Sequence, residues 1–301
     1  MRTTLIASLL AAAAAFAAPA AAQETVKMTC PVGGESFDYI RAAATAPTGM
    51  RPDGKPLGTP LAALPECPGN GLVLYKDYSA EEAGKLAPLV ESAEYQALRE
   101  GETQRYRAYR LMRHLGEEPD NFLWVLLQAS WEAEDRPELR TRYLAELVEA
   151  AGEVPPRRND INWIGMEGRV INALRELGRF EEAEKRLNDM PLLFLDVQVP
   201  TGEDADRKAV AEARARRGWL LYANQLRKAV ERRDASIEPL DMMPRTAALA
   251  RCTELAGKLS EAQQAFCSAS ETDGKEEQKA ARAPTPEELE ALRKSREQSG
   301  R

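Results

Sequence analysis

Two of the four cysteines lie in similar short motifs near the start of the chain. Cys30 begins the run Cys-Pro-Val-Gly-Gly, and Cys67 begins the run Cys-Pro-Gly-Asn-Gly. A Cys-x-x-Cys pair is a common half-site for structural zinc, and two such pairs supply the four ligands of a tetrahedral site. Gly33 and Asn70 stand where the second cysteine of each half-site would be. Two sulfur ligands are too few, so the sequence predicts no metal site and no cofactor.

The other two cysteines, Cys252 and Cys267, lie near the end of the chain. On one straight helix they would be about 22 Å apart, which is too far for a disulfide. Gly257 predicts a break between them, and Ser260 with Gln263 forms a capping box that begins a new helix. The two cysteines would then face each other across a helical hairpin, so we expect a Cys252–Cys267 disulfide.

Candidate catalytic groups are few. His114 is the one histidine of the chain, which excludes metal sites that need several histidines. The chain also lacks a nucleophile elbow, a phosphate-binding loop and a dinucleotide fingerprint. The pair Glu91-Ser92 is similar to the Glu-Ser pair of lytic transglycosylases, whose acid must lie near the glycan bond, but the accompanying Gly-Leu-Met-Gln segment is missing. No catalytic residue is therefore predicted, and Glu91 is the acid of the alternative hypothesis, an envelope hydrolase.

A repeat signal occupies residues 170–187, which read VINALRELGRFEEAEKRL. Gly178, Phe180 and Ala183 match the turn, aromatic and small positions of a tetratricopeptide repeat. The apolar positions of its two helices are filled by Val170, Leu174 and Leu187. The small residue lets the two helices approach, and the aromatic residue fills the next interface. This segment resembles one tetratricopeptide unit.

The preceding segment, residues 124–147, fits the same repeat more loosely. Asp135 stands at its turn glycine and Arg140 at its small alanine, so its second helix is expected to pack less closely. Repeats of this kind form a concave surface that can bind a peptide or protein, although the same residues are also explained as the core of helical hairpins. The candidate partner-binding residues near the concave side are Asn162, Trp163 and Arg169, of which Trp163 is also interpreted as core.

With both features in view, the chain resembles an uncharacterised bacterial family in which a two-knuckle zinc ribbon precedes tetratricopeptide-like helices. The ligand positions of that family correspond here to Cys30 and Cys67 alone, and the resemblance implies no defined activity. In such a ribbon, ligands about 2.3 Å from one zinc lie less than about 4 Å apart. The resemblance therefore implies that Cys30 and Cys67 form a disulfide in an oxidising compartment.

The first 22 residues, MRTTLIASLLAAAAAFAAPAAA, have the pattern of a secretory signal peptide. Arg2 supplies the positive start, residues 5–18 an apolar run, and residues 20–22 a small-residue cleavage site. We expect a cleaved signal peptide and a periplasmic protein. No other long apolar run follows, so no integral membrane span is expected in the mature chain. The net charge of −7 comes from mixed acidic and basic residues, which does not indicate a nucleic-acid partner.

Composition divides the rest into three parts. Residues 23–78 read as a β-rich head stapled by a disulfide, with short strands at 37–40 and 72–75, and with Asp53 solvated in a Pro-Asp-Gly turn. Residues 79–267 have helical periodicity from a capping box at Ser79 and Glu82 onwards. The predicted helices cover 95–115, 121–134, 137–151, 163–177, 180–189, 205–233 and 245–267. Residues 268–301 read as a disordered or solvated-helix tail.

The sequence thus predicts a mainly α protein, with a tetratricopeptide-like array of helical hairpins and a small β-rich, degenerate zinc-ribbon-like N-terminal head. The expected function is an exported, non-enzymatic protein-binding or scaffold protein whose partner is a protein or peptide of the cell envelope. The alternatives are the hydrolase with Glu91 and a residual metal-binding protein, in which reduced Cys30 and Cys67 join a ligand from elsewhere.

Overall fold

The computed structural model describes residues 24–43, 45–157, 160–190, 198–202 and 206–270. The predicted signal peptide, residues 1–22, lies outside the described residues. Residues 271–301 of the predicted tail also lie outside the described residues.

The N-terminal head contains two small antiparallel hairpins. Strand β1 (Glu24–Thr29) pairs with β2 (Ser36–Arg41), with Thr29 opposite Ser36 at the turn end. Strand β3 (Gly49–Met50) pairs with β4 (Pro56–Leu57). The two-stranded sheets are too small to hold a core by themselves. The apolar core residues of the head, Cys30, Val32, Cys67 and residues 72–74, lie outside β1 and β2 and pack against helices.

The strand predicted at residues 72–75 is wrong. Leu72 and Val73 are fully buried, but Val73 makes only an isolated bridge with Glu66. The neighbouring hydrogen bonds stay local, since the Leu74 amide donates to the Pro65 carbonyl at 2.8 Å and the Cys67 amide donates to the Leu72 carbonyl at 2.9 Å. The apolar run reflects burial against the first helices and not membership of a sheet.

Nine helices with defined bounds make up most of the rest of the described chain. They are α1 (Ala80–Val90), α2 (Ala93–Gly101), α3 (Gln104–Leu115), α4 (Pro119–Glu132), α5 (Pro137–Gly152), α6 (Ile161–Glu176), α7 (Phe180–Asp189), α8 (Arg207–Glu231) and α9 (Arg245–Glu254). A short 3-10 turn, Leu240–Met242, precedes α9, and residues 261–270 are also helical.

Local signals set most helix ends. The Ser79–Glu82 capping box begins α1 as predicted, and Pro137 takes the first turn of α5. Gly178 adopts a left-handed conformation, with φ of 71°, which ends α6 and starts the turn into α7. These three signals are local in sequence, so the predicted bounds of α5, α6 and α7 lie close to the observed ones.

The single helix predicted over residues 95–115 is wrong, because α2 and α3 are separate. Thr103 has extended backbone between them, and its hydroxyl accepts a hydrogen bond from the Tyr106 amide at 3.2 Å. The apolar periodicity continues across this break, so the sequence pattern does not mark Thr103 as the N-cap of α3.

The helices pack in sequence order as hairpins. Neighbouring contacts join α3 to α4, α4 to α5, α5 to α6 and α6 to α7, and α8 packs against both α6 and α7. One apolar cluster runs through α3–α8, and a second joins the head to α1–α3. The architecture is mainly α with a small β head, as predicted. Within residues 170–187, Ala183 and Leu187 are fully buried and Phe180 nearly so.

Both predicted disulfide pairs are confirmed. Cys30 and Cys67 are joined with a Cα–Cα distance of 5.6 Å, and Cys252 and Cys267 with a distance of 5.8 Å. Gly257 breaks the helix between the second pair with φ of 79°. Of the helices in the described ranges, none combines the length and apolar character needed to cross a membrane.

Candidate functional site

One face of α6 lines a cavity of about 560 Å³. Asn162, Gly165, Met166 and Arg169 lie at spacings of three and four residues, which place them on one side of the helix. The opposite walls come from α4 and α8. Trp124 on α4 and Trp219 on α8 are the aromatic residues of these walls, and the remaining lining residues are Asp120, Ile161 and Ala215. We call this space the Arg169 cavity.

Arg169 is the chemically distinctive residue of this cavity. Its guanidinium carbon lies 5.1 Å from the centre of the Trp124 ring and 5.0 Å from the centre of the Trp219 ring, so it makes two cation–π contacts. Its Nη1 donates a hydrogen bond to the Gly165 carbonyl at 2.9 Å. Burial lowers the pKa of Arg169, and the electrostatic influence of Tyr222 and Asp53 opposes that shift. The group remains a cation at neutral pH.

Arg169 has no carboxylate within 4 Å among the residues that the structure describes. Its Nε is buried without a hydrogen-bond partner. Asp53 is the nearby carboxylate whose charge it feels, but Asp53 is bonded to other arginines. The cavity therefore holds a partly desolvated positive charge with unused donors.

Two glycines inside α6 allow the walls of the cavity to come together. A Cβ at Gly165 would lie 2.7 Å from Cζ2 of Trp219, and a Cβ at Gly168 would lie 3.2 Å from Cε1 of Tyr222. Glycine within a helix costs about 1 kcal/mol relative to alanine. That cost is offset here by the close approach of α8 to α6, which brings Trp219 to Arg169.

The β3–β4 hairpin closes one side of this region. Its tip is buried at Pro52, Asp53 and Gly54, and the Tyr222 hydroxyl donates to the Pro52 carbonyl at 2.7 Å. A Cβ at Gly54 would lie 2.5 Å from Nε of Arg169. The head thus packs directly on the helices that form the cavity.

The prediction that Asp53 is solvated is wrong, since its exposed fraction is 2%. Its carboxylate accepts hydrogen bonds from Arg51, from the Lys55 amide at 3.0 Å and from Nη2 of Arg140 at 3.3 Å. Burial acts to raise the pKa of Asp53, but the hydrogen bond and charge of Arg51, with Lys55 and Arg140, bring it below the ordinary value of 3.8. The Pro-Asp-Gly motif predicts the conformation of the turn, but it does not predict which elements the turn packs against.

Arg140 continues this ionic network between helices. Its guanidinium donates to Glu176 on α6 at 2.6 Å and to the Ser130 carbonyl on α4 at 2.7 Å. Arg51 also pairs with Glu134, beside Lys55. The arginine that stands at the small position of the looser repeat is therefore buried by a network joining the hairpin, α4, α5 and α6.

The three predicted partner-binding residues do not share one site. Asn162 is exposed and lines the Arg169 cavity together with Arg169. Trp163 lines a different cavity of about 260 Å³, with Glu167 and Arg186 among its walls. Adjacent residues on a helix point about 100° apart, so Asn162 and Trp163 cannot belong to one narrow face.

Sequence reasoning missed the two aromatic walls, Trp124 and Trp219. Trp124 begins the looser repeat segment, residues 124–147, and nothing near Trp219 marks it as part of a site. The available signal was the glycine pair in α6, because helix-interior glycines often mark close contact with another element. Which element makes that contact cannot be read from Gly165 and Gly168 themselves.

The head cysteines have an acidic neighbour that the sequence did not suggest. The Cys30 and Cys67 sulfurs and a Glu35 carboxylate oxygen lie within 4.8 Å of one another. Asn70, which stands where the second cysteine of a zinc half-site would be, donates to the Val32 carbonyl at 2.9 Å. Two sulfurs that are bonded to each other are not thiolate ligands, and one carboxylate cannot complete a tetrahedral site. The residues present do not fit a structural zinc.

Glu91, the acid of the hydrolase hypothesis, is exposed at the C-cap of α1. It is not among the residues that line the cavities described here. A general acid for glycan cleavage needs a site beside the bond that it protonates, so its position gives that hypothesis no support.

No protein-family model, curated protein or solved structure matches this chain.

Proposed function

We propose that this chain is an exported, non-enzymatic binding protein of the periplasm, and that a protein or peptide segment of the cell envelope binds at the Arg169 cavity. The observation that carries the proposal is Arg169 itself. It is a partly desolvated cation between two tryptophans, without a carboxylate within 4 Å among the described residues.

The other buried arginines support this interpretation by contrast. Arg105 pairs with Glu132, Arg107 pairs with Glu66 at 2.6 Å, and Arg140 pairs with Glu176 at 2.6 Å. Arg175 has Glu176 at 3.9 Å and donates to Asn172 and to backbone carbonyls. An unpaired charge away from water is costly. Arg169 differs from these arginines because it has no carboxylate within 4 Å among the described residues. Its place in a cavity lined by tryptophan is best explained by a ligand that supplies the missing negative charge.

The size and continuity of the cavity favour a segment of polypeptide as the ligand. Its volume of about 560 Å³ is typical of a ligand site, and tryptophan and arginine dominate binding hot spots. A second cavity of about 480 Å³ shares Asp120 and Trp124 with it. The two cavities therefore meet along α4 and together accommodate more than one side chain.

Site-directed photo-crosslinking tests this proposal in the periplasm of the producing cell. A photoreactive residue replacing the exposed Asn162 should give a discrete crosslinked product, identified by mass spectrometry. The same residue replacing Glu184, which is exposed on α7, is the matched control and should give none. Identical crosslinking patterns from both positions, or none from Asn162 under conditions that label a known complex, would contradict the proposal.

A further inference from the structure

We propose that the Arg169 cavity binds one acidic side chain of the partner segment, and that a nearby apolar side chain of the same segment enters the adjoining cavity across Trp124. This inference rests on the proposed function, since it takes a polypeptide to be the ligand and specifies its chemistry.

The charge of the cavity indicates a ligand with a single negative charge. Its charged lining residues are Arg169 and Asp120, and Asp120 is already paired with Arg157 at the rim. One positive charge remains without a partner among the described residues. A carboxylate matches it one for one, whereas a phosphate group carries up to two negative charges at neutral pH. The second charge would be left without a cation.

The hairpin cannot supply this charge from within the protein. Asp53 is held by Arg51 and by Nη2 of Arg140. The residue that approaches the Arg169 guanidinium is Gly54, which has no side chain to neutralise it. The guanidinium carries five N–H donors, and one bond, to the Gly165 carbonyl, is found within the described part of the chain. Because Nε is itself buried, a carboxylate would bond to the remaining N–H groups on the two Nη atoms.

The adjoining cavity combines apolar walls with polar side chains, Asn121 and Gln128 among them, and differs from the Arg169 cavity in having no unpaired charge among its described lining residues. Its apolar walls are formed by Leu64, Tyr75, Met112, Trp124 and Val125. Its charged lining residues are already paired. Lys76 bonds Glu117 at 2.5 Å, Arg105 bonds Glu132, and Asp120 bonds Arg157. Such a cavity suits an apolar side chain, because a further charge would find no free counter-charge there.

An extended segment can serve both cavities at once. Side chains two residues apart on an extended chain point the same way and lie about 7 Å apart. The two cavities meet at Trp124 and Asp120, so an acidic residue and an apolar residue at this spacing can lie on either side of that junction. The proposed motif is acidic-x-apolar, with the acidic side chain against Arg169.

The test is calorimetric titration of the full mature, oxidised protein with peptides acetylated at the N-terminus and amidated at the C-terminus. The probes are octapeptide pools that differ only in a central Glu-x-Leu, Gln-x-Leu or Glu-x-Ser. A charge-assisted hydrogen-bonded contact corresponds to about 10- to 100-fold in affinity. We expect Glu-x-Leu to bind the wild-type protein more tightly than Gln-x-Leu by that factor, and more tightly than Glu-x-Ser.

Two variants connect the effect to the cavity. Arg169→Gln should reduce the preference for Glu over Gln to less than about threefold. Arg186→Gln is the matched control, because Arg186 also lies beside a tryptophan in a cavity but is paired with Glu167 at 2.7 Å. It should keep the full preference. The Glu-against-Gln contrast on the wild-type protein needs no variant, so a poorly folded Arg169→Gln protein would not prevent the test.

The outcomes separate this inference from the proposed function. Equal binding of Glu-x-Leu and Gln-x-Leu would overturn the acidic side chain and leave peptide binding standing. Tight binding of Gln-x-Leu once its C-terminal carboxylate is left free would assign the charge to a chain end and overturn the motif. Binding of inorganic phosphate in place of Glu-x-Leu would overturn the single-charge argument. Absence of binding by every peptide would overturn both proposals.

Discussion

Replacing Asp53 by asparagine removes one charge from the buried network that joins the β3–β4 hairpin to the helices. The carboxylate accepts hydrogen bonds from Arg51, Arg140 and the Lys55 amide. Asparagine has nearly the same size, so the change tests charge and hydrogen bonding with little change in packing. The hairpin tip also carries Gly54, which contacts Arg169, so the state of this network affects the candidate site.

The expected cost follows from the partners that remain. Removing one member of a buried ion pair costs about 3–5 kcal/mol of unfolding free energy. Arg51 keeps Glu134 and Arg140 keeps Glu176 after the change, and the asparagine oxygen can still accept from the Lys55 amide. We therefore expect a loss at the low end of that range, about 3 kcal/mol.

The pH dependence gives an independent measurement of the same charge. The pKa of Asp53 is lowered in the folded state, so between the folded and unfolded pKa values the unfolded chain binds more protons. The stabilisation by this group is present above the ordinary value of 3.8, and it is lost as the pH falls through the lower folded value. Asp53→Asn has no such group, so the gap between the two proteins should shrink on acidification.

Urea unfolding followed by tryptophan fluorescence at pH 7, 4 and 3 measures both effects. Asp77→Asn is the matched control, because Asp77 lies in the same head but is exposed. It should change the unfolding free energy by less than about 0.5 kcal/mol. A cost below about 1 kcal/mol for Asp53→Asn, or a gap that does not depend on pH, would refute the argument that Asp53 is a buried partner of the arginines.

Three further changes test other parts of the structure. Cys252→Ser opens a disulfide with a sequence separation of 15 and should lower the unfolding free energy, measured by calorimetry, by about 3 kcal/mol. Hydrogen exchange should show that the head stays protected, and early loss of that protection would contradict the expectation that the two disulfides stabilise separate parts of the chain. Gly165→Ala places a Cβ 2.7 Å from Trp219 and should destabilise the protein by about 1–3 kcal/mol. Gly84→Ala, with open space at its Cβ, should not destabilise it. Equal melting temperatures for both variants would refute the close packing of α8 on α6. The wild-type protein should not digest peptidoglycan, and cleavage that Glu91→Gln abolishes would revive the hydrolase hypothesis.

Features with a local cause could be predicted from the sequence. The Ser79–Glu82 capping box and the Pro137 first turn mark helix starts. The break at Gly257 placed Cys252 against Cys267. In each case the deciding contacts join residues close in sequence, so the local pattern contains the necessary information. The split at Thr103 was missed because apolar periodicity ran across it.

The candidate site was only half predictable. The sequence predicts Asn162 and Arg169 for one site, but it predicts Trp163 for the same site although Trp163 lies on another face of α6. The walls that give Arg169 its character, Trp124 and Trp219, come from two other helices. Their positions depend on how α4 and α8 pack on α6, which residue types alone do not specify.

The helical character, the helix ends with recognisable caps and the cysteines that could pair follow from residue types and their spacing. The burial of Asp53 among arginines, and the lack of a carboxylate within 4 Å of Arg169 in the described ranges, follow from the packing of distant elements. Capping and periodicity act over a few residues. The environment of a charge depends on groups far away in sequence, as Asp53 and Arg140 show at a separation of 87 residues.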